Sequence, residues 1–147
     1  MSHVSQQIVD AIAVLITGLP LTGANVFDDI PTNPSSSILP CLIVEIIKDD
    51  SEPTSMGYPR LLNCTLSLAV IARAIGKTSL KRTLNTIRSN VQTALSAKPS
   101  LGGLTKDLQL NSVAFLTNSE AETNYGEATM LWTATYYIQE TAPETAL

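Results

Sequence analysis

Two stretches of this chain alternate apolar and polar side chains, residue by residue, for longer than an ordinary strand requires. From Arg60 to Arg73, Leu62, Cys64, Leu66, Leu68 and Val70 fall on one parity, while Asn63, Thr65, Ser67 and Arg73 fall on the other. From Tyr125 to Gln139, Ala128, Met130, Trp132, Ala134, Tyr136 and Ile138 oppose Thr129, Thr133 and Thr135. Successive side chains of a strand point to opposite faces, so a period of two predicts strands with one apolar face each. At ~3.3 Å per residue, the first stretch of about fourteen residues would project beyond a compact sheet.

Those apolar faces need cover, and two helical stripes can supply it. Val4, Ile8, Ile12, Leu15 and Leu19 recur at helical spacing, with Ser2 or Ser5 as a cap and Pro20 as the stop. Leu80, Leu84, Ile87, Val91 and Leu95 form a second stripe, capped by Ser79 and ending before Pro99. Between them Ala24–Phe27 reads as a short strand, and Asp28–Ser37, with Pro31 and Pro34, as an irregular loop. Ile38–Lys48 is apolar on both parities, which predicts a strand covered on both faces. Asp49–Pro59, with its acids, Gly57 and two prolines, reads as a long exposed loop at the tip of an arm. Leu101-Gly102-Gly103-Leu104 is a turn whose glycines are free to take positive φ. Leu108–Thr117 is a further strand and Asn118–Asn124 a polar loop.

The order helix, strands, helix, strands has too few βαβ units for a doubly wound fold. It predicts one α+β domain over 1–139: a mixed, mostly antiparallel β-sheet, two amphipathic helices packed on one face, and a projecting β-hairpin arm. Residues 140–147 read as a disordered tail. A chain of 147 residues fits one such domain.

Chemistry is harder to find. The segment Ile71 to Thr78 ends in Gly76-Lys77-Thr78, as a phosphate-binding loop does. The glycine required five residues before Gly76 is absent, because Ile71 stands there. His3 is the one histidine and lies at the terminus, where it can organise neither a nucleophile nor, with Cys41 and Cys64, a zinc site. Asp49, Asp50 and Glu52, and likewise Glu120, Glu122 and Glu127, read as solvated loop acids. The expectation is therefore a protein that is not an enzyme and that uses no cofactor or metal.

The charge supports a partner made of protein. A formal net charge of -4 disfavours nucleic acid, which is held by dense Lys and Arg. Charged residues make up 15% of the chain, below the usual ~25%. The run Ile8–Leu19 is too short to span a membrane, carries Asp10 and has no Lys or Arg before it, so a cytoplasmic origin with reduced Cys41 and Cys64 is expected. A hairpin turning near Pro53 could bring the two face to face, which leaves a disulfide as the alternative.

Two features suggest contact surfaces. One is the second face of the long strands: Thr65, Ser67, Ala69 and Ile71 beside Thr129, Leu131, Thr133 and Thr135. It is less charged than a solvent face and less apolar than a core. The other is charge placement: the arm carries Asp49, Asp50 and Glu52 beside Met56 and Tyr58, and the second helix begins with Lys77, Lys81 and Arg82, with Arg88 further on. An acidic arm meeting a neighbour's basic helix would make a head-to-tail ring. Two unrelated solvated patches are the plainer alternative.

The run Ser79–Ile138 also carries a resemblance. A helix with Ile87-Arg88 and Val91 leads to Leu101-Gly102-Gly103-Leu104 and Asp107, then a strand, an acidic loop, and a strand ending Trp132-Thr133-Ala134-Thr135-Tyr136-Tyr137. With the N-terminal helix and the Pro40–Val44 segment, this resembles the tail terminator and tail completion proteins of long-tailed phages. The resemblance implies a hexameric ring of identical subunits in the neck of a virion assembled in the host cytoplasm. It implies a tail tube protein and a head-tail connector protein as partners, and no catalytic residues. Candidate contact residues are then Asp49, Asp50, Glu52, Met56, Tyr58, Arg73, Lys77, Lys81, Arg82, Thr129, Thr133 and Thr135. Another neck or head-tail completion protein is the nearer alternative, and a small α+β ligand-binding domain or enzyme acting on an anion, held by Lys77 and Thr78, is the rival from another class.

Overall fold

The computed structural model describes residues 3–20, 23, 26–27, 40–76, 80–118 and 124–147. Along the chain lie α1 (Val4–Ile16), β1 (Val26–Phe27), β2 (Cys41–Pro53), β3 (Leu61–Gly76), α2 (Leu80–Ser96), β4 (Asp107–Asn118) and β5 (Asn124–Gln139). The strands form one sheet in the order β1-β2-β3-β5-β4. Only β1 and β2 run parallel; the other three pairings are antiparallel. The fold is α+β, with both helices on one face of a mixed, mostly antiparallel sheet.

The alternating patterns explain the centre of this sheet. β3 and β5 pair without a break from Leu61 opposite Gln139 to Gly76 opposite Asn124. Their apolar parities, Cys64, Leu66, Leu68 and Val70 with Ala128, Met130, Trp132, Ala134, Tyr136 and Ile138, are buried in one cluster. Both helix stripes join that cluster, and the α2 stripe is the predicted set Leu80, Leu84, Ile87, Val91 and Leu95. Burying a side chain of this size is worth about 1.5–3 kcal/mol, so this one face supplies most of the driving force for folding.

Elsewhere the structure corrects the sequence reading. α1 is capped by His3, whose Nδ1 accepts from the Ser5 backbone N–H at 3.1 Å, and not by Ser5; Ser2 lies outside the described residues. The helix ends at Ile16, before Leu19 and Pro20, because Thr17 turns extended and Gly18 takes φ 90°. In the 3-10 turn Leu101–Gly103, Gly102 and Gly103 take positive φ as expected, and Leu101 does so as well at 47°. Its side chain is nonetheless buried, and the buried Thr105 hydroxyl closes the turn by donating to the Pro99 carbonyl at 2.6 Å. The tail is also placed rather than frayed. The Pro143 carbonyl accepts from the Val4 N–H at 2.9 Å, and the Leu147 N–H donates to the Tyr137 carbonyl at 2.9 Å.

The largest correction concerns the arm. Asp49–Pro53 is strand, not loop: β2 continues to Pro53, pairing Asp49 with Leu66, Asp50 with Thr65 and Glu52 with Asn63. The turn shrinks to the residues between Pro53 and Leu61. Within β2, cover on both faces is also confined to Cys41–Val44, since every residue from Glu45 to Pro53 is exposed; Ile38 and Leu39 of the predicted strand lie outside the described residues. Among the described residues β1 reaches only Leu42 and Ile43, and nothing else pairs with that side of β2. A bulge at Ile47 and the charges that follow blunt this edge against indiscriminate pairing.

Candidate functional site

The helices occupy one face of the sheet, and the candidate surfaces lie on the other face and at its two ends. Register defines the second face. Its cross-strand rows read Glu45–Ala69–Leu131–Ser112, then Lys48–Ser67–Thr133–Gln109, then Asp50–Thr65–Thr135–Asp107. Thr65, Ser67, Thr133 and Thr135 are half-buried, and the Asn111 side-chain amide donates to the Thr133 hydroxyl. Charge is confined to the margins of this face, which leaves a central field of hydroxyls.

Part of the predicted face is already used. Ala69 and Ile71 are buried with Ile43 in a second small cluster, against which the half-buried Phe27 packs, and Ile71 stands opposite Thr129. Arg73 is not free for a contact either. Its Nε–H donates to Glu127 Oε2 at 3.1 Å across the β3–β5 pairing, so both members of this half-buried ion pair are committed within the chain. Glu127 is therefore not the solvated acid that its sequence context suggests, because it is half-buried beside a guanidinium.

The arm forms one end. Its tip is ordered by the Thr54 N–H on the Leu61 carbonyl at 2.8 Å and the Leu61 N–H on the Ser55 hydroxyl at 2.9 Å. Met56 is 100% exposed and Tyr58 77%. The Arg60 guanidinium stacks 4.5 Å from the Tyr58 ring centroid, which holds that ring outward. Asp50 pairs with Lys48 at 3.4 Å on the exposed edge, where such a pair contributes little.

Asp49 points the other way, toward the helices, where the Tyr136 hydroxyl donates to its Oδ2 at 2.5 Å. His3 meets the Tyr136 ring edge-on at 6.4 Å, and the Ser51 hydroxyl lies 3.4 Å from Cys64 Sγ. Sequence reading missed this polar cluster at the base of the arm, because its members come from four distant segments. His3 Nδ1 already serves the α1 N-terminus, so that nitrogen is not a free base. The two cysteines do not meet: Cys41 pairs with Arg73 on the second face, and Cys64 pairs with Ser51 on the helix face. Both are free thiols, and burial pushes Cys41 above the ordinary thiol range despite the nearby Arg73.

Tyr136 is pushed well above the ordinary phenol range, first by burial and then by donating to Asp49. A raised folded-state value means stability fully present below the unfolded value of about 10 and lost as pH rises above it. Tyr136→Phe is expected to cost about 0.5–1.5 kcal/mol at neutral pH. Denaturation from pH 8 to 11 checks the sign: the native chain should lose stability above pH 10 relative to the variant. A constant gap would mean that the phenol does not titrate differently on unfolding.

The other end of the sheet is basic and partly apolar. Lys81, Arg82 and Asn85 of α2 line a shallow groove of about 410 Å³ with Phe115 of β4. Phe115 is 42% exposed and its neighbour Leu116 65%. Arg88 is turned back toward Asn85, whose Oδ1 accepts from its Nη1 at 3.3 Å. Lys77, Thr78, Ser79, Glu120 and Glu122, like the predicted loop Asp28–Ser37, lie outside the described residues.

No protein-family model matches the chain, and no curated protein matches it. Among solved structures it is similar to a chain of one described as "Virion of native gene transfer agent (GTA) particle", at 12% identity and a TM-score of 0.36. The likeness covers 90% of this chain and 92% of that chain. It is too distant to carry a role across.

Proposed function

We propose that this chain is a structural virion protein of the tail terminator kind, acting through its surfaces and not through a catalytic site. Copies of it form a ring that ends the tail tube and offers a docking surface to the head-tail connector. The observation that supports this most is the division of the sheet: one face packs its core against the helices, the other keeps a field of Thr65, Ser67, Thr133 and Thr135 with charge only at its margins. A face of that composition suits contact with protein more than with water. The resemblance of Ser79–Ile138 to tail terminator proteins supplies the particular role. In this reading the partners are further copies of the chain, a tail tube protein and a connector, with neither nucleic acid nor membrane bound directly.

Light scattering and negative-stain electron microscopy test it, on the chain alone and mixed with its tail tube protein. Rings of a single size, or capped tubes of limited length, are expected. A chain that stays monomeric at high concentration and leaves tube growth unchanged would refute the reading.

A further inference from the structure

The acidic arm and the basic groove of one chain lie at opposite ends of the sheet. The arm departs where Pro53 pairs with Leu62 and Leu62 with Ile138, whereas the groove lies where Phe115 pairs with Ala128. The separation from Ala128 to Ile138 along β5 is roughly 33 Å at strand geometry. With β3 and β5 paired throughout, the arm does not fold back onto its own groove.

Among the described residues the two ends are complementary in charge. From Glu45 to Glu52 the edge strand carries Glu45, Asp49, Asp50 and Glu52 against the single cation Lys48. At the groove, Lys81 and Arg82 are exposed, and the ion pairs seen among the described residues, Lys48–Asp50 and Arg73–Glu127, include neither. Both cations stand in the first turn of α2, which holds no acidic residue. Cations there oppose the positive end of the helix dipole, an arrangement that an incoming carboxylate relieves. Exposed apolar area matches too: Met56 and Tyr58 at the arm tip, Phe115 in the groove.

We infer that the groove of Lys81, Arg82, Asn85 and Phe115 is the seat for the arm of a second copy of this chain. Asp50 and Glu52 come against Lys81 and Arg82, and Met56 and Tyr58 cover Phe115. The contact rests on the ring reading above and names its joint. Seat and arm are different surfaces, so each copy gives an arm to one neighbour and receives one from another, and the assembly closes as a ring or grows as a filament.

Paired cysteines test this directly, because the native Cys41 and Cys64 are buried. The chain carrying both Met56→Cys and Asn85→Cys should, on mild oxidation, give a ladder of covalent multimers. Met56→Cys mixed with Asn85→Cys should stop at dimers, and either variant alone should give none. Reversing Lys81 and Arg82 to Glu should raise the concentration needed for assembly by roughly tenfold, and adding Asp50→Lys with Glu52→Lys should restore it. Multimers by light scattering without a cysteine ladder would overturn the joint and leave the ring reading standing. A chain showing neither, with tube protein present, overturns both.

Discussion

Replacing Trp132 by alanine is expected to lower unfolding stability by about 3–5 kcal/mol. Domains of ordinary stability hold about 5–15 kcal/mol in total, so a large part of the margin would go. The reason is position. Trp132 is 1% exposed and lies midway along β5, opposite Leu68 of β3 and Leu110 of β4 on the helix face. Truncation leaves a void between sheet and helices that neighbouring strands, fixed by their ladders, cannot collapse into. Trp132→Phe should behave differently. The indole Nε1 is buried without a hydrogen-bond partner among the described residues, and phenylalanine removes that donor along with some volume. The two changes oppose, and the net cost should stay below about 1.5 kcal/mol. Circular dichroism in urea is the proper readout, since the chain has 1 tryptophan and both variants abolish its fluorescence. Equal losses for the two variants would show that volume does not decide the matter.

The second large effect is expected at Gly126. A Cβ there would stand 2.8 Å from Leu80 Cδ2, 2.9 Å from Leu84 Cδ1 and 3.0 Å from Leu80 Cγ. The requirement is for space, because this glycine lies in the regular β5 ladder opposite Ala74 and Thr117. For Gly126→Ala, the ends of two leucine side chains can yield, and a cost near 1 kcal/mol is expected; for Gly126→Val, the added methyls must lift the first turns of α2, at about 1–3 kcal/mol. Those turns carry Lys81 and Arg82, so if the proposed joint forms there, the valine variant should assemble less well than its stability loss alone implies. A denaturation midpoint for Gly126→Val equal to that of the native chain would show that α2 is not seated tightly on β5.

Gly126 also shows what sequence can and cannot reveal. The α2 stripe and both long strands were legible because their partners are set by periodicity, and periodicity survives in one dimension. A glycine needed for close approach leaves no such trace, nor does Asp49–Pro53. By local propensity that segment is a turn. It is strand because the Leu62–Leu66 stretch of β3 offers a complete ladder, and pairing outweighs the weak aversion of Asp, Ser and Pro for an edge. By sequence His3 is only an end residue, yet it caps α1 and meets Tyr136, a contact between residues 133 positions apart in the chain. At the candidate site, residue types were legible and their commitments were not. In the sequence Arg73 has no evident partner, and the β3–β5 register sets Glu127 opposite it. The acidic and basic groups were both visible, but only the register of the sheet puts them at opposite ends.

That unbroken β3–β5 pairing has a mechanical consequence. Sixteen residues of β3 matched along their length by β5, with helices braced against one side, behave as a beam. Strands twist with a fixed hand, so the beam presents its two ends at a fixed angle to one another. In a ring joined through those ends, that angle must divide a full turn into a whole number of copies. The diameter of the ring would then be written in the twist of two strands, far from either joint. Substitutions that loosen the beam, even where no neighbour touches it, would show as assemblies of mixed size.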